Sequence, residues 1–98
     1  MPIMRTNEFQ SMPGQGPALR EFLGSVISLI REAPGCRSVR LYSHHDDPTR
    51  LVIIEEWDSV EKHQAAASRI PPELMQKAMA LFAAPPKGAY YHDVEGSR

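Results

Sequence analysis

Arg50-Leu51-Val52-Ile53-Ile54-Glu55-Glu56-Trp57-Asp58-Ser59 carries the only tryptophan of the chain and a change from strand-like to helix-like patterning. Leu51 to Ile54 is a short β-branched and aliphatic run, which reads as a buried strand. Asp58 and Ser59 stop that strand and open a helix. The fold follows from what this strand pairs with and what lies on each of its faces.

Immediately upstream, Cys36 to His45 alternates as a second strand does, and His45-Asp46-Asp47-Pro48-Thr49-Arg50 is a turn. A connection this short predicts an antiparallel hairpin. With Asp46 to Thr49 as the loop, His45 faces Arg50, Tyr42 faces Ile53, Arg40 faces Glu55 and Ser38 faces Trp57. Val39, Leu41, Val52 and Ile54 then share one face, suited to packing under helices. Arg40, Tyr42, His44, Leu51, Ile53, Glu55 and Trp57 share the other. The Arg40–Glu55 pairing favours this register by about 0.2–1 kcal/mol. A slip of one residue would exchange the faces of one strand.

Working outward, Leu19, Phe22, Leu23, Val26, Ile27 and Ile30 recur at helical spacing. Met12-Pro13-Gly14-Gln15-Gly16-Pro17 precedes them as a turn cluster, and Ala33-Pro34-Gly35 ends the helix. Ile3 to Phe9 reads as a first strand, with Ile3, Arg5, Asn7 and Phe9 on one face. Asp58 and Glu61 fit an acidic capping box for a helix through about Ser68. Ile70-Pro71-Pro72 breaks it. A further helix starts at Pro72-Glu73 and buries Leu74, Ala78, Leu81 and Phe82. Ala89 to Val94 reads as the last strand.

The order strand, helix, strand, strand, broken helix, strand predicts a ferredoxin-like α+β fold, βαββαβ. Its four-stranded antiparallel sheet carries helices on one face. Residues 1–98 form one domain, since a chain this long has room for one core. The uncovered face, with Tyr42, Ile53 and Trp57 assigned to it, holds more apolar area than water comfortably covers. The expectation is a homodimer.

Composition excludes several functions. The net charge of −1 and pI near 6.4 give no basic footprint for nucleic acid. A single cysteine, Cys36, rules out an internal disulfide and speaks against a cysteine-rich zinc site. No basic-then-apolar leader or membrane-spanning run is evident, so the reading is a soluble, cytoplasmic protein with no membrane partner. No Gly-rich dinucleotide loop appears, in keeping with an expectation of no cofactor.

Pro13-Gly14 before the amphipathic helix, Pro34-Gly35-Cys36 at its end, Asp46-Asp47-Pro48 and Val52 to Ser59 together resemble the antibiotic biosynthesis monooxygenase family. The similarity runs from about Met4 to Val94, and Glu55-x-Trp57-x-Ser59 is its most specific part. The resemblance implies a dimeric α/β barrel. It also implies either cofactor-independent oxidation of polyketide phenols to quinones or degradation of haem. The haem-degrading members need a tryptophan and a histidine where this chain has about Ala66 and Gln76, so that route is disfavoured. Asn7 stands seven residues before Gly14, as the catalytic asparagine does in those members. In the polyketide-oxidising members Trp57 has a direct match, while the tyrosine, asparagine and arginine places fall near His63, Ile53 and Lys77.

The implied catalytic residues are therefore Asn7, Trp57 and His63, with Phe9, Tyr42, Ile53 and Lys77 as substrate-binding residues and no metal. Trp57 reads first as a core or interface residue, and otherwise as an aromatic wall, beside Tyr42 and Ile53, for a planar phenol. Asn7 is either satisfied by a neighbouring strand or hydrogen-bonds a substrate oxygen. His63 is either a solvated surface histidine or a general base for a phenol. Small aromatic molecules and O₂ are the expected partners. The alternative is a non-redox dimeric binding or isomerase-type module using the same cavity.

Overall fold

The computed structural model describes residues 2–95. Its elements are β1 (Ile3–Gln10), α1 (Gly16–Arg31), β2 (Cys36–Ser43), β3 (Arg50–Trp57), α2 (Val60–Ala67), α3 (Pro72–Met79) and β4 (Lys87–Tyr91). The strands form one antiparallel sheet in the order β2-β3-β1-β4, as the ferredoxin-like reading requires.

The helix over Leu19 to Ile30 is present, and Leu19, Leu23, Val26, Ile27 and Ile30 are its buried stripe. Gly14 and Gly35 adopt φ of 78° and 88°, the left-handed conformation that glycine tolerates best at the reversals flanking α1. Gly35 is further constrained by the Lys62 side chain, which would meet a Cβ at 2.7 Å. The Gly35 carbonyl accepts the Asp58 N–H at 2.9 Å, which ties the end of α1 to the start of α2. The α1 stripe packs with Ile3, Phe9, Val39, Leu51, Ile53 and Trp57 from the sheet.

The β2–β3 register is one residue away from the expected one. Tyr42 faces Val52, Arg40 faces Ile54 and Val39 faces Glu55, with an irregularity between Cys36 and Ser38. The turn explains the shift. His44 stays on the ladder, its N–H donating to the Arg50 carbonyl at 2.9 Å, while its Nδ1 accepts the Asp46 and Asp47 N–H groups at 3.0 and 3.1 Å. Asp47 Oδ1 accepts from the Thr49 N–H and hydroxyl. With the histidine ring accepting both N–H groups, the loop runs from residue 45 to 49, one residue longer than expected, beyond the register pair Ser43 with Leu51.

The shift exchanges the faces of β3, as a one-residue slip must. Leu51, Ile53, Glu55 and Trp57 point to the helix side and are buried, while Val52, Ile54 and Glu56 lie on the outer face and are half-buried. The expected Arg40–Glu55 charge pair is not made: Arg40 is exposed, and Glu55 is buried on the opposite face.

Three boundaries also move. Ser59 caps α2, its hydroxyl accepting the Lys62 N–H at 3.2 Å. Asp58 instead accepts from Arg37 at 2.6 Å. The last strand is Lys87–Tyr91 rather than Ala89 to Val94, pairing with β1 from Glu8 back to Met4. Leu81 and Phe82 lie beyond the end of α3. Phe82 packs on Phe9, with ring centroids 5.8 Å apart, and the Leu81 carbonyl accepts the Met12 N–H.

Candidate functional site

The register places three chemically active side chains in one row across the sheet. Glu55 on β3 pairs with Arg5 on β1, and Arg5 pairs with Tyr90 on β4. The adjacent row holds Ile53, Asn7 and Gly88. All of these positions share the helix-side parity of the sheet. Above them α2 contributes His63, and the end of β3 contributes Trp57.

Trp57 is 0 % exposed, and its indole N–H donates to Glu55 Oε1 at 2.7 Å. This is an i, i+2 contact along one strand face, the geometry that alternation provides. The His63 ring meets Trp57 edge-on at 5.5 Å and Tyr90 edge-on at 5.4 Å. His63 Nδ1 lies 2.6 Å from the Tyr90 hydroxyl, and Nε2 lies 4.0 Å from Glu55 Oε1. A carboxylate on the Nε2 side favours the tautomer protonated there, which leaves Nδ1 to accept the Tyr90 O–H. The Arg5 guanidinium stacks over the Tyr90 ring, 4.8 Å from its centroid.

The electrostatics follow from burial. Removal from water pushes the Glu55 carboxyl above its ordinary range, opposed by the Trp57 N–H bond and the Arg5 charge. Burial, and then the Arg5 charge, hold the His63 imidazole below its ordinary pKa of 6.5. His63 is therefore neutral at neutral pH and competent to take a proton. Its side chain keeps 14 % of its surface exposed, which makes it the solvent-facing member of its contact with Glu55.

Of the residues expected from the sequence, Asn7, Ile53, Trp57 and His63 lie on or above the helix-side face. Ile53 and Trp57 were expected on the uncovered face, and the register shift moves them. Phe9 shares their face further along β1, buried against Phe82. Tyr42 points away on the outer face, 46 % exposed, so it does not form a wall with Ile53 and Trp57. Lys77 is exposed on α3. Arg5, Glu55 and Tyr90 were not anticipated as site residues. The parity of Arg5 with Asn7 and of Glu55 with Trp57 was visible as i, i+2 spacing, but the Tyr90 partnership needed the β1–β4 register.

Cavities open elsewhere. One of about 450 Å³ lies beside the outer face, lined by Thr6, Gln10, Val52, Lys87 and Tyr91 among others. A second, of about 650 Å³, lies between α1 and β2, and Cys36 lines it. Burial and then Glu55 push the Cys36 thiol up, away from the reactive thiolate. Neither cavity is lined by Trp57, His63 or Tyr90. Among the described residues no three His, Cys, Asp or Glu side chains are grouped to hold a metal ion. No helix there is long and apolar enough to cross a membrane.

Residues 2–83 match the model of the antibiotic biosynthesis monooxygenase family. Among solved structures, Rv0793 of Mycobacterium tuberculosis is similar with a TM-score of 0.83 and 24% identity, over 96% of each chain. A conserved protein of Methanosarcina mazei gives 0.84 and 17%, over 95% of this chain and 93% of that one. A Chloroflexus aurantiacus protein gives 0.75 and 27%, over 95% of each chain. No curated protein matches the sequence.

Proposed function

Because the chain belongs to the antibiotic biosynthesis monooxygenase family, we propose that it oxidises a phenolic aromatic molecule to a quinone with O₂, without a bound cofactor. One oxygen atom enters the ring, and the other leaves as water with two hydrogens of the phenol. The observation that carries this reading is the Tyr90–His63 hydrogen bond, backed by Glu55 on the far side of the imidazole.

The residues divide the work as follows. A phenol seated against Tyr90 passes its proton to the Tyr90 oxygen as Tyr90 passes its own to His63 Nδ1. Glu55 then faces the imidazolium that forms, as a carboxylate does behind a catalytic histidine. The deprotonated phenol is electron-rich and can donate an electron to O₂ where water is excluded. Trp57 supplies the closed aromatic floor under His63.

A second copy of the chain completes this reading. Met4, Val52, Ile54 and Ala89 are half-buried on the outer face, and Tyr42 and Tyr91 are 46% and 55% exposed there. The helices leave this face uncovered, and a homodimer buries it.

The competing reading is a binding or isomerase-type module, and complete burial of Trp57 is the observation in its favour. Oxygen consumption by purified, cofactor-free protein with hydroxylated naphthalenes and anthracenes separates the two. Uptake with quinone formation is expected. Ligand binding without uptake across the panel would establish the module instead.

A further inference from the structure

Four readily oxidised aromatic rings occur in the chain: Trp57, Tyr42, Tyr90 and Tyr91. They differ in what receives the proton when an electron leaves. A phenol or indole that loses an electron becomes a strong acid, and a positive charge stranded on an enclosed ring is costly. Loss of the electron is therefore easy only where a base already holds the proton by a hydrogen bond.

Tyr90 has such a base, because its hydroxyl lies 2.6 Å from His63 Nδ1. Glu55 Oε1, 4.0 Å from the other ring nitrogen, supports the imidazolium that forms when His63 takes the proton. Arg5, whose guanidinium lies 4.8 Å from the centre of the Tyr90 ring, opposes it. The proton is accepted but loosely kept, and it returns when the ring regains its electron. Tyr42 and Tyr91 are exposed, and among the described residues no histidine or carboxylate accepts from either hydroxyl. The Trp57 indole does have an acceptor in Glu55, but it lies fully buried, while Tyr90 is half-buried on the edge strand β4. His63 touches both rings edge-on, at 5.5 and 5.4 Å between centroids. An electron, unlike a substrate, needs no cavity and crosses contacts of this kind.

We propose that Tyr90 is a redox-active tyrosine, giving one electron to a one-electron oxidant in solution and its phenolic proton to His63 Nδ1. The O–H bond breaks, an N–H bond forms, and the products are a neutral tyrosyl radical and an imidazolium. A peroxyl radical is an oxidant of the required class, and it leaves as a hydroperoxide anion. A hole arriving from outside meets Tyr90 first, and one formed on Trp57 reaches Tyr90 through His63. The role needs neither a phenol nor O₂, so it stands apart from the oxidation proposed above.

The test is oxidation of the full chain, without oxygen or any phenol, by photogenerated tris(bipyridyl)ruthenium(III). Transient absorption gives the rate, and electron paramagnetic resonance identifies the radical. A tyrosyl radical is expected in wild-type protein and in Tyr42→Phe/Tyr91→Phe, where Tyr90 is the sole tyrosine. Adding His63→Gln to that double variant should slow its formation about 10²-fold, the low end of what a positioned proton acceptor is worth. Tyr90→Phe alone should slow formation to a similar degree, because Tyr42 and Tyr91 have only water to take the proton. Heavy water should slow formation in wild-type protein. Equal rates in wild-type protein and Tyr90→Phe overturn the proposal. So does a double variant whose radical settles on Trp57 or Cys36, or whose rate ignores His63→Gln.

Discussion

Replacing Glu55 separates the two things that its burial does. The carboxylate is 4 % exposed and accepts the indole N–H of a fully buried tryptophan. Glu55→Leu fills the space but leaves that N–H without an acceptor, at a cost of about 1–3 kcal/mol. Glu55→Gln keeps an acceptor oxygen and removes the charge. At neutral pH the Leu variant should therefore be less stable than the Gln variant by about that amount.

The pH dependence has a definite sign. The folded-state pKa of Glu55 lies above its ordinary 4.5, so the folded state holds its proton more tightly than the unfolded chain. Stability from this group is complete below 4.5 and is lost as pH rises through the folded value. Wild-type protein should lose stability relative to Glu55→Gln across that window. Urea unfolding read by the fluorescence of Trp57, the sole tryptophan, measures both effects. Equal stability of the Leu and Gln variants would refute the role of the indole bond. A wild-type pH profile parallel to that of Glu55→Gln would refute the cost of burying the charge.

Tyr90→Phe removes the hydroxyl from His63 Nδ1; it should cost about 0.5–1.5 kcal/mol in urea unfolding and slow oxygen uptake with phenols. The pH–rate profile should fall on the acid side at a value below 6.5, as His63 takes up its proton. Arg5→Gln should move that limb upward, because the arginine is one cause of the depression. Ile54→Asp, on the outer face, should yield a monomeric mass in light scattering where wild-type protein gives a dimer; a monomeric wild type would remove the covering partner.

Most of the fold was legible because its signals are local. The α1 stripe, the glycine reversals at Gly14 and Gly35, and the strand character of Leu51 to Ile54 each depend on residues close in sequence. The register of β2 against β3 was not, because it turned on His44 serving as an acceptor for two backbone N–H groups. Turn statistics give a histidine ring no such role, and the Arg40–Glu55 pairing made the wrong register attractive. The register in turn sets which face of β3 carries Trp57.

The site was legible to the same degree. Asn7, Trp57 and His63 do gather on one side of the sheet. Tyr90 was out of reach because an edge strand with one neighbour is placed only by pairing, and Arg5 because alternation says which face a residue takes but not what it meets there.

The central claim is that proton transfer at His63, on the helix side of the sheet, drives oxidation. Initial rates of oxygen uptake by wild-type protein, His63→Gln and Lys87→Gln test it in one experiment, since Lys87 lines the cavity beside the outer face. The account predicts a loss of about 10²–10⁴-fold for His63→Gln, the usual worth of a positioned acid–base group, and near wild-type rates for Lys87→Gln. Full activity in His63→Gln would contradict it.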